Sequence, residues 1–178
     1  MLCYRDGDAG AFDALYARHK GGLYRYLLRQ CREPAAAEEL FQDVWMNLIR
    51  ARAGYTVQAK FTTYLYRLGH NRLIDHYRKH GQAVVTSFDA EGGPVLEDLV
   101  DDHEQPPDTA YDLKRQAAEL LRLVAELPPP QREAFLLQQE GGMSVEAIAA
   151  ATGVSRETAK SRLRYALARL RQGMRKWQ

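Results

Sequence analysis

The chain has 178 residues, of which 46% are hydrophobic and 27% charged, so it can build a core and is not expected to be disordered. Its two cysteines, Cys3 and Cys31, form no CxxC pair, which argues against a disulfide framework or a zinc finger and favours a reducing compartment. The sequence shows no signal peptide and no apolar run near the roughly 20 residues of a membrane span, so we expect a cytoplasmic protein without membrane insertion.

Charge is unevenly distributed along the chain, although the formal net charge is only +2. No Lys or Arg occurs between Gln82 and Leu113, where acidic residues recur. From Ser155 to the C-terminus basic residues predominate, and Glu157 is the only acidic residue there. A basic end beside an acidic middle predicts that one part of the chain meets a polyanion.

Residues 1–81 are predicted to form a first domain of three helices. Apolar residues recur at helical spacing from Phe12 to Leu27, and Pro34 suits the first turn of the helix that follows. On this second helix we expect Trp45 to be buried below an acidic outer face. The apolar stripe is Leu40, Phe41, Val44, Trp45, Leu48 and Ile49, and the opposite face carries Glu38, Glu39, Gln42, Asp43 and Asn47.

A Gly-containing segment, residues 52–60, is predicted to be a loop that leads into a third helix. Leu68 and Leu73 are expected to belong to the core. Along the same helix flat side chains alternate with cations, a combination that suits unpaired bases and their phosphates. The flat side chains are Tyr64, Tyr66, His70, His76 and Tyr77, and the cations are Arg67, Arg72, Arg78 and Lys79.

Residues 82–110 combine Gly92-Gly93-Pro94 and Pro106-Pro107 with acidic residues and show no sustained period. This composition predicts a flexible, self-repelling linker between two domains. In the simplest interpretation it is a soluble tether that lets the two domains reach separate sites.

Residues 111–178 are predicted to form a second helical domain that ends in a helix-turn-helix. Its first helix ends before Pro128, and Ser144 can cap a short helix further along the chain. Gly153 permits the positive φ of a tight turn, and Ser155 can cap the last helix. The inward face of that last helix is Ala159, Leu163, Ala166, Leu167 and Leu170.

The outward face of the last helix is basic, and in a helix-turn-helix the second helix enters the major groove with its first residues near base edges. Arg and Lys can bond guanine O6 and N7, whereas Ser and Thr hydroxyls can bond phosphates. A helical hairpin with a solvated basic face is the competing interpretation. The candidate DNA contacts are Ser155, Arg156, Thr158, Lys160, Ser161 and Arg164, while Arg162, Arg169 and Arg171 are assigned to phosphates or solvent.

Several stretches resemble one family, the extracytoplasmic-function sigma factors of bacterial RNA polymerase. EELFQDVW at 38–45 is similar to their polymerase-binding helix, and residues 61–78 are similar to their promoter-melting segment. LPPPQREAF at 127–135, followed by the helix-turn-helix, is similar to their fourth region. The resemblance spans nearly the whole chain except the linker. It implies an all-α protein, with sigma region two at 1–81 and region four at 111–178, that directs promoter-specific initiation of transcription.

The resemblance also implies partners and residue roles. The helix-turn-helix would read the promoter −35 element, and Glu39, Gln42 and Asp43 would bind core RNA polymerase. The linker would thread through a basic channel of the polymerase. In the free protein the two domains would pack together or be held by an anti-sigma factor. The loop at 51–60 would hold a flipped base of the −10 element, whose contacts would be Tyr55, Lys60, Tyr64, Arg67, Asn71, Arg72 and Arg78. No cofactor is implied.

Other classes of protein fit the sequence less well. An enzyme is not expected because no Gly-rich phosphate loop, HExxH or GxSxG motif occurs, and His70, His76 and His80 lack the spacing of a metal site. A receiver-type regulator would need strand patterns that the chain lacks. A helix-turn-helix regulator that acts without core polymerase, and an adaptor that binds polymerase without DNA, stay open as alternatives.

Overall fold

The computed structural model describes residues 1–80 and 110–177, and within these ranges all regular structure is helical. The predicted all-helical fold is confirmed. The predicted linker falls outside the described residues except for Ala110. The helices are α1 (Leu2–Arg5), α2 (Ala9–Cys31), α3 (Pro34–Arg50), α4 (Phe61–Lys79), α5 (Ala110–Glu126), α6 (Pro129–Gly141), α7 (Val145–Thr152) and α8 (Arg156–Met174), with 3₁₀ turns at Arg52–Gly54 and Arg175–Trp177.

Helices α2, α3 and α4 form the N-terminal domain. The Asp8 carboxylate caps α2 by accepting a hydrogen bond from the Ala11 amide at 3.2 Å, and a left-handed Arg32 (φ 63°) ends the helix. Pro34 occupies the first turn of α3, as predicted. Burial of each large apolar side chain stabilises this core by about 2 kcal/mol. Its fully enclosed aliphatic members are Leu23, Leu27, Val44, Leu48 and Leu65.

Helices α5 to α8 form the C-terminal domain, and α7 and α8 make the predicted helix-turn-helix. Ser144 Oγ accepts a hydrogen bond from the Ala147 amide at 3.3 Å, so it caps α7. Gly153 ends α7 with φ 71°, a conformation that a residue with a Cβ adopts only under strain. Ser155 Oγ then accepts from the Thr158 amide at 3.1 Å and begins α8. The predicted turn and both predicted caps are confirmed.

The two domains pack directly on each other, with α6 against α2 and α7 against α4. Gly22 of α2 permits the close approach, because a Cβ there would lie 2.9 Å from Tyr66 Oη and 3.0 Å from the Glu140 carbonyl oxygen. Buried apolar residues of both domains belong to one continuous cluster. The structure therefore shows the domains closed together.

Candidate nucleic-acid interface

Helix α8 carries a basic face on the side opposite its packing face. Lys160 and Arg164 are exposed there, one turn apart, and Ser161 lies partly buried beside them. Ser155 and Thr158 bond to each other through their hydroxyls at 2.8 Å, so both take part in beginning the helix. The exposed cations have the placement expected of residues that reach base edges and phosphates.

The assignment of Arg162 to phosphates or solvent is wrong. Its side chain is buried, on the side of α8 that packs against the rest of the protein. Arg169 and Arg171 are exposed further along the helix, as predicted. The 3.6-residue period of apolar residues identifies the packing face of α8. It does not show that a cation at the edge of this face, such as Arg162, is covered by neighbouring helices.

Arg156, the first residue of α8, is held between two carboxylates. Its Nε donates to Glu146 Oε1 of α7 at 2.6 Å, and its Nη1 donates to Glu157 Oε1 at 3.3 Å. The bond from Arg156 lowers the pKa of Glu146 to about 2, and bonds from its own amide and from Ser144 act in the same direction. An anion that approaches the start of α8 therefore competes with Glu146 for this guanidinium.

A cavity of about 680 Å³ lies between the segment that follows α3 and the first turns of α4. Tyr55 and Tyr64 form one wall, with ring centroids 5.2 Å apart and ring planes inclined at 65°. Arg50 and Arg67 add cations to the lining, and Ala150 of α7 closes one side. Burial and the neighbouring Tyr55 raise the pKa of Tyr64, so its ring stays neutral further into the alkaline range than an exposed tyrosine. Flat rings beside cations suit an unstacked base and its phosphate.

Three of the predicted −10 contacts, Tyr55, Tyr64 and Arg67, meet in this cavity. Arg50 and Thr63 also line it, although the sequence pattern did not single them out. Arg50 could have been found from the sequence as the cation at the end of the helix that precedes the loop. The other predicted contacts lie on or beside α4 outside the cavity: Lys60 exposed before its first turn, Asn71 exposed, Arg72 paired with Asp75 at 3.4 Å, and Arg78 exposed.

The prediction that Tyr66 and His70 offer free faces to bases is wrong. Tyr66 is fully buried, and its hydroxyl donates to the Glu140 carbonyl oxygen of α6 at 2.8 Å. His70 Nδ1 lies 2.7 Å from Glu133 Oε1, also on α6. Both side chains face the C-terminal domain because α6 and α7 cover this side of α4.

Comparison with known proteins decides the family. The model of Sigma-70 region 2 matches residues 15–83, and that of Sigma-70, region 4 matches residues 117–170. The RNA polymerase sigma factor CarQ of Myxococcus xanthus is 30% identical over 174 residues, which cover 97% of this chain and 94% of CarQ. The ECF RNA polymerase sigma factor RpoE of Cereibacter sphaeroides is 32% identical over 98% of this chain and 92% of its own length. The chain belongs to the extracytoplasmic-function (ECF) group of the sigma-70 family.

Solved structures share the fold of this ECF sigma factor. CnrH, in a complex with the cytosolic domain of CnrY, superposes with a TM-score of 0.64 at 22% identity, covering 94% of this chain and 90% of CnrH. RpoE of Bartonella quintana, in a complex with the anti-sigma factor NepR, superposes with a TM-score of 0.67 at 21% identity, covering 92% and 96%. Like other alternative sigma factors, this chain directs RNA polymerase to initiate transcription at specific promoters.

The outer face of α3 in this sigma factor is acidic with an apolar patch. Glu39, Gln42 and Asp43 are all exposed. Met46 lies on the same face, three and four residues further on, and is 45% exposed. Ile49 was predicted in the buried stripe, but it is exposed at the edge of this face. Trp45 is buried against the rings of Phe12, Tyr16 and Phe41, so the prediction of its structural role is confirmed.

Buried carboxylates join the two domains. Glu133 of α6 is 8% exposed and accepts a hydrogen bond from the Tyr26 hydroxyl at 2.9 Å while it contacts His70. The preceding residue of α6, Arg132, donates from its Nε to Gln30 Oε1 of α2 at 3.2 Å. At the other end of α6 a second carboxylate, Glu140, accepts from Arg25 Nε at 2.9 Å and from Arg29. These polar contacts fix the register in which α6 lies on α2 and α4.

Raising the pH from the ordinary histidine value of about 6.5 into the alkaline range is expected to loosen the domain contact, because the contact with Glu133 raises the pKa of His70. Burial lowers the pKa of His70, and so does the charge of Arg162, but the bond and the charge of Glu133 outweigh both and raise it. When packing raises the pKa of a histidine, its protonation stabilises the packed state. This stabilisation is complete at a pH below the ordinary pKa, and it is lost as the pH rises through the pKa of the packed state. The radius of gyration measured by X-ray scattering across this range should increase. The His70→Gln variant should show a smaller pH response.

Replacing Glu146 by Gln is expected to raise the affinity for duplex DNA of arbitrary sequence by roughly twofold to fivefold at low salt, because one exposed charge that competes for Arg156 is removed. Fluorescence anisotropy with a labelled random-sequence duplex measures this. The gain should shrink as salt screens it. Glu126→Gln, which makes the same charge change on α5, should leave the affinity unchanged, and an equal gain there would contradict the role of Arg156.

Among residues 1–80 and 110–177, no helix has the length and apolar character needed to cross a membrane. Within the same ranges no group of three or more His, Cys, Asp or Glu side chains is arranged to hold a metal ion.

Proposed function

We propose that this sigma factor reads the −35 element with α8 and captures an unpaired base of the −10 element in the cavity beside α4. The single observation that carries the proposal is the cavity, where two tyrosine rings and two arginines meet at the end of the helix that precedes the predicted melting segment. Base stacking on aromatic side chains contributes about 1–3 kcal/mol per base, which is enough to favour one flipped conformation.

The proposed chemistry at the cavity is non-covalent. An unstacked base would lie against Tyr64, with Tyr55 bounding the cavity, while Arg50 and Arg67 would neutralise flanking phosphates. Asn71, exposed on the same helix, would read the edge of a neighbouring base. Lys60, Arg72 and Arg78 would contact the backbone from positions outside the cavity. The protein acts by binding, not by catalysis.

The face of α3 is the proposed contact with core RNA polymerase. Acidic side chains there would repel DNA, whereas a basic protein surface would attract them. Met46 and Ile49 add exposed apolar area, which solvated charged faces usually lack and protein interfaces contain. Glu39, Gln42 and Asp43 are therefore assigned to polymerase binding.

The closed arrangement of the domains would have to open for promoter binding. Promoter elements centred at −35 and −10 lie about 25 base pairs apart, or about 85 Å at 3.4 Å per base pair. A compact chain of this length has a radius of gyration of about 16 Å, so closed domains cannot reach both elements on straight DNA. Residues 82–110, at full extension, reach up to about 95 Å, so the separated domains can span the two elements.

Two further proposals concern partners. The solved relatives bind CnrY and NepR, and we infer that a protein of the anti-sigma class also holds this sigma factor in the cytoplasm. The acidic composition of residues 82–110 suits passage through a basic channel of the polymerase in place of nucleic acid.

Transcription in vitro tests the proposed function. Purified core RNA polymerase is supplied with a pooled promoter library, with and without this protein, and with variants Asp43→Lys and Tyr64→Ala. Transcripts that appear only with the protein and share −35 and −10 sequences are expected, and both variants should reduce them. Asp43→Lys should lose core binding, whereas Tyr64→Ala should bind core but open promoters poorly. Specific DNA binding without core binding would instead support a regulator that acts without polymerase.

A further inference from the structure

The wall of the cavity that carries Tyr55 has little packing of its own. The residues from Ala51 to Gly54 are exposed, and so are those from Thr56 to Lys60. Tyr55 alone is buried in this segment, at 7% exposure. Within the turn, the amides of Gly54 and Tyr55 bond to the carbonyl oxygens of Ala51 and Arg52 at 3.2 Å each. A segment with so few buried contacts is held in place by whatever neighbours it has.

Helix α1 is one such neighbour, and it contacts the turn with two consecutive residues. The Arg52 guanidinium lies over the Tyr4 ring, 5.1 Å from its centroid. Arg5 Nη1 donates a hydrogen bond to the Tyr55 carbonyl oxygen at 3.3 Å. Asp6 accepts from Arg5 Nε at 2.7 Å, which orients the guanidinium. The contact of Tyr4 with Arg52 thus holds the start of the turn, and the bond from Arg5 holds the backbone of Tyr55, whose ring lines the cavity.

Helix α1 is itself anchored to the core. Tyr4 is buried at 8% exposure, and its ring packs on Phe12 of α2 with centroids 5.2 Å apart. The chain of contacts runs from α2 through Tyr4 and Arg5 to the turn, and from Tyr55 to Tyr64. Helix α1 therefore connects the core to the backbone of the segment that carries Tyr55, although no residue of α1 lines the cavity.

We propose that α1 is a brace, in which Tyr4 and Arg5 are positioning residues that fix the Tyr55 wall of the cavity and so set how strongly one unstacked base is held. This inference rests on the proposed capture of a −10 base. Stacking is sensitive to ring placement, because offset and tilted geometries are favoured only at centroid distances of about 4.5–7 Å. A wall fixed before binding also avoids the cost of ordering a loop around the base.

The test uses holoenzyme, formed from core RNA polymerase and the full chain, and a single-stranded −10 oligonucleotide of the sequence selected in transcription. The same oligonucleotide is prepared with an abasic site at each position in turn. With the unaltered sigma factor, the abasic site at the captured position should weaken binding by about tenfold to 100-fold, as expected for loss of one stacked base. Other positions should show smaller losses.

Arg5→Ala and Tyr4→Leu should each weaken binding of the intact oligonucleotide by about fivefold, a loss in the range of one hydrogen bond or cation–π contact. The penalty for the abasic site at the captured position should shrink in both variants by the same factor, while penalties elsewhere stay unchanged. Tyr4→Phe, which keeps the ring, and Arg5→Lys, which keeps a donor, should restore most of the penalty. Arg18→Ala removes the same charge from an exposed site on α2 and should keep the full penalty.

The outcomes separate the two levels of the proposal. If the unaltered holoenzyme shows no position with a large abasic penalty, base capture in the cavity fails. If it shows one and Arg5→Ala and Tyr4→Leu retain it in full, capture stands and the brace is refuted. If both variants reduce the abasic penalty equally at every position of the oligonucleotide, α1 acts only on general folding, which also refutes the brace.

Discussion

Replacing Glu133 by alanine is expected to separate the two domains of the free sigma factor while each domain stays folded. Glu133 is buried, accepts from the Tyr26 hydroxyl and contacts His70, so its removal leaves two polar groups without this partner in the interface. Loss of one member of such a network costs about 3 kcal/mol. That energy corresponds to a shift of about 100-fold toward the open state.

X-ray scattering of the free protein measures this opening as an increase in the radius of gyration. Gln139→Ala, an exposed change on the same helix, is the matched control and should leave the radius unchanged. Glu133→Gln keeps an acceptor for Tyr26 but loses the charge that faces His70, so it should give an intermediate increase. It should also reduce the pH response, because the group that raises the pKa of His70 is gone. An unaltered radius in Glu133→Ala would show that apolar contacts alone hold the domains together.

The opening has a consequence for transcription. If closed domains cannot span the two promoter elements, a variant that is already open should need less free energy to bind the promoter. At limiting sigma factor, Glu133→Ala should then give more transcripts than the unaltered protein, provided that core binding is equal. Interfaces between domains of one chain that contain polar contacts, such as those of Glu133 and Glu140 here, are suited to release.

Structural features that depend only on residues close together in the sequence, such as helix caps and turns, could be predicted from the sequence. The side chains of Ser144 and Ser155 cap two helices, and Gly153 makes the turn between them because it has no side chain. The helix-turn-helix can therefore be recognised from the sequence without any distant contact. The apolar period likewise places Trp45 inside. The cavity beside α4 could be predicted in part, because Tyr55, Tyr64 and Arg67 lie close together in the sequence.

Features that depend on the contact between domains could not be predicted. Tyr66, His70 and Arg162 are polar residues at the edges of amphipathic helices, where the sequence pattern does not distinguish solvent from a second domain. Glu133, the partner of His70, looks like a surface residue in the sequence, since a buried carboxylate is stable only when donors from elsewhere reach it. Helix α1 could not be predicted either, because four residues are too few for a period to show.

Replacing Lys160 and Arg164 together by alanine is expected to have the largest effect on promoter binding. Both side chains are exposed one turn apart on α8, and Arg164 lies over the Tyr165 ring at 5.0 Å, which steadies it without neutralising its charge. Arg156, in contrast, is already paired with Glu146. A side chain that bonds a base edge contributes about 1–3 kcal/mol of discrimination, so the double variant should lose about 100-fold to 1,000-fold in affinity for a −35 duplex.

Affinity for the −35 duplex and for a scrambled duplex, measured by anisotropy at several salt concentrations, distinguishes the possible roles of these two residues. Bonds to bases should lower affinity for the −35 duplex alone, whereas bonds to phosphates should lower both affinities and reduce the salt slope by about one for each phosphate that is no longer neutralised. Arg169→Ala with Arg171→Ala removes the same charge from exposed positions two turns further along α8 and serves as the control. If both double variants lose the same affinity for the −35 duplex, α8 contributes only its net charge. If Lys160→Ala with Arg164→Ala loses no affinity, −35 recognition belongs to another surface.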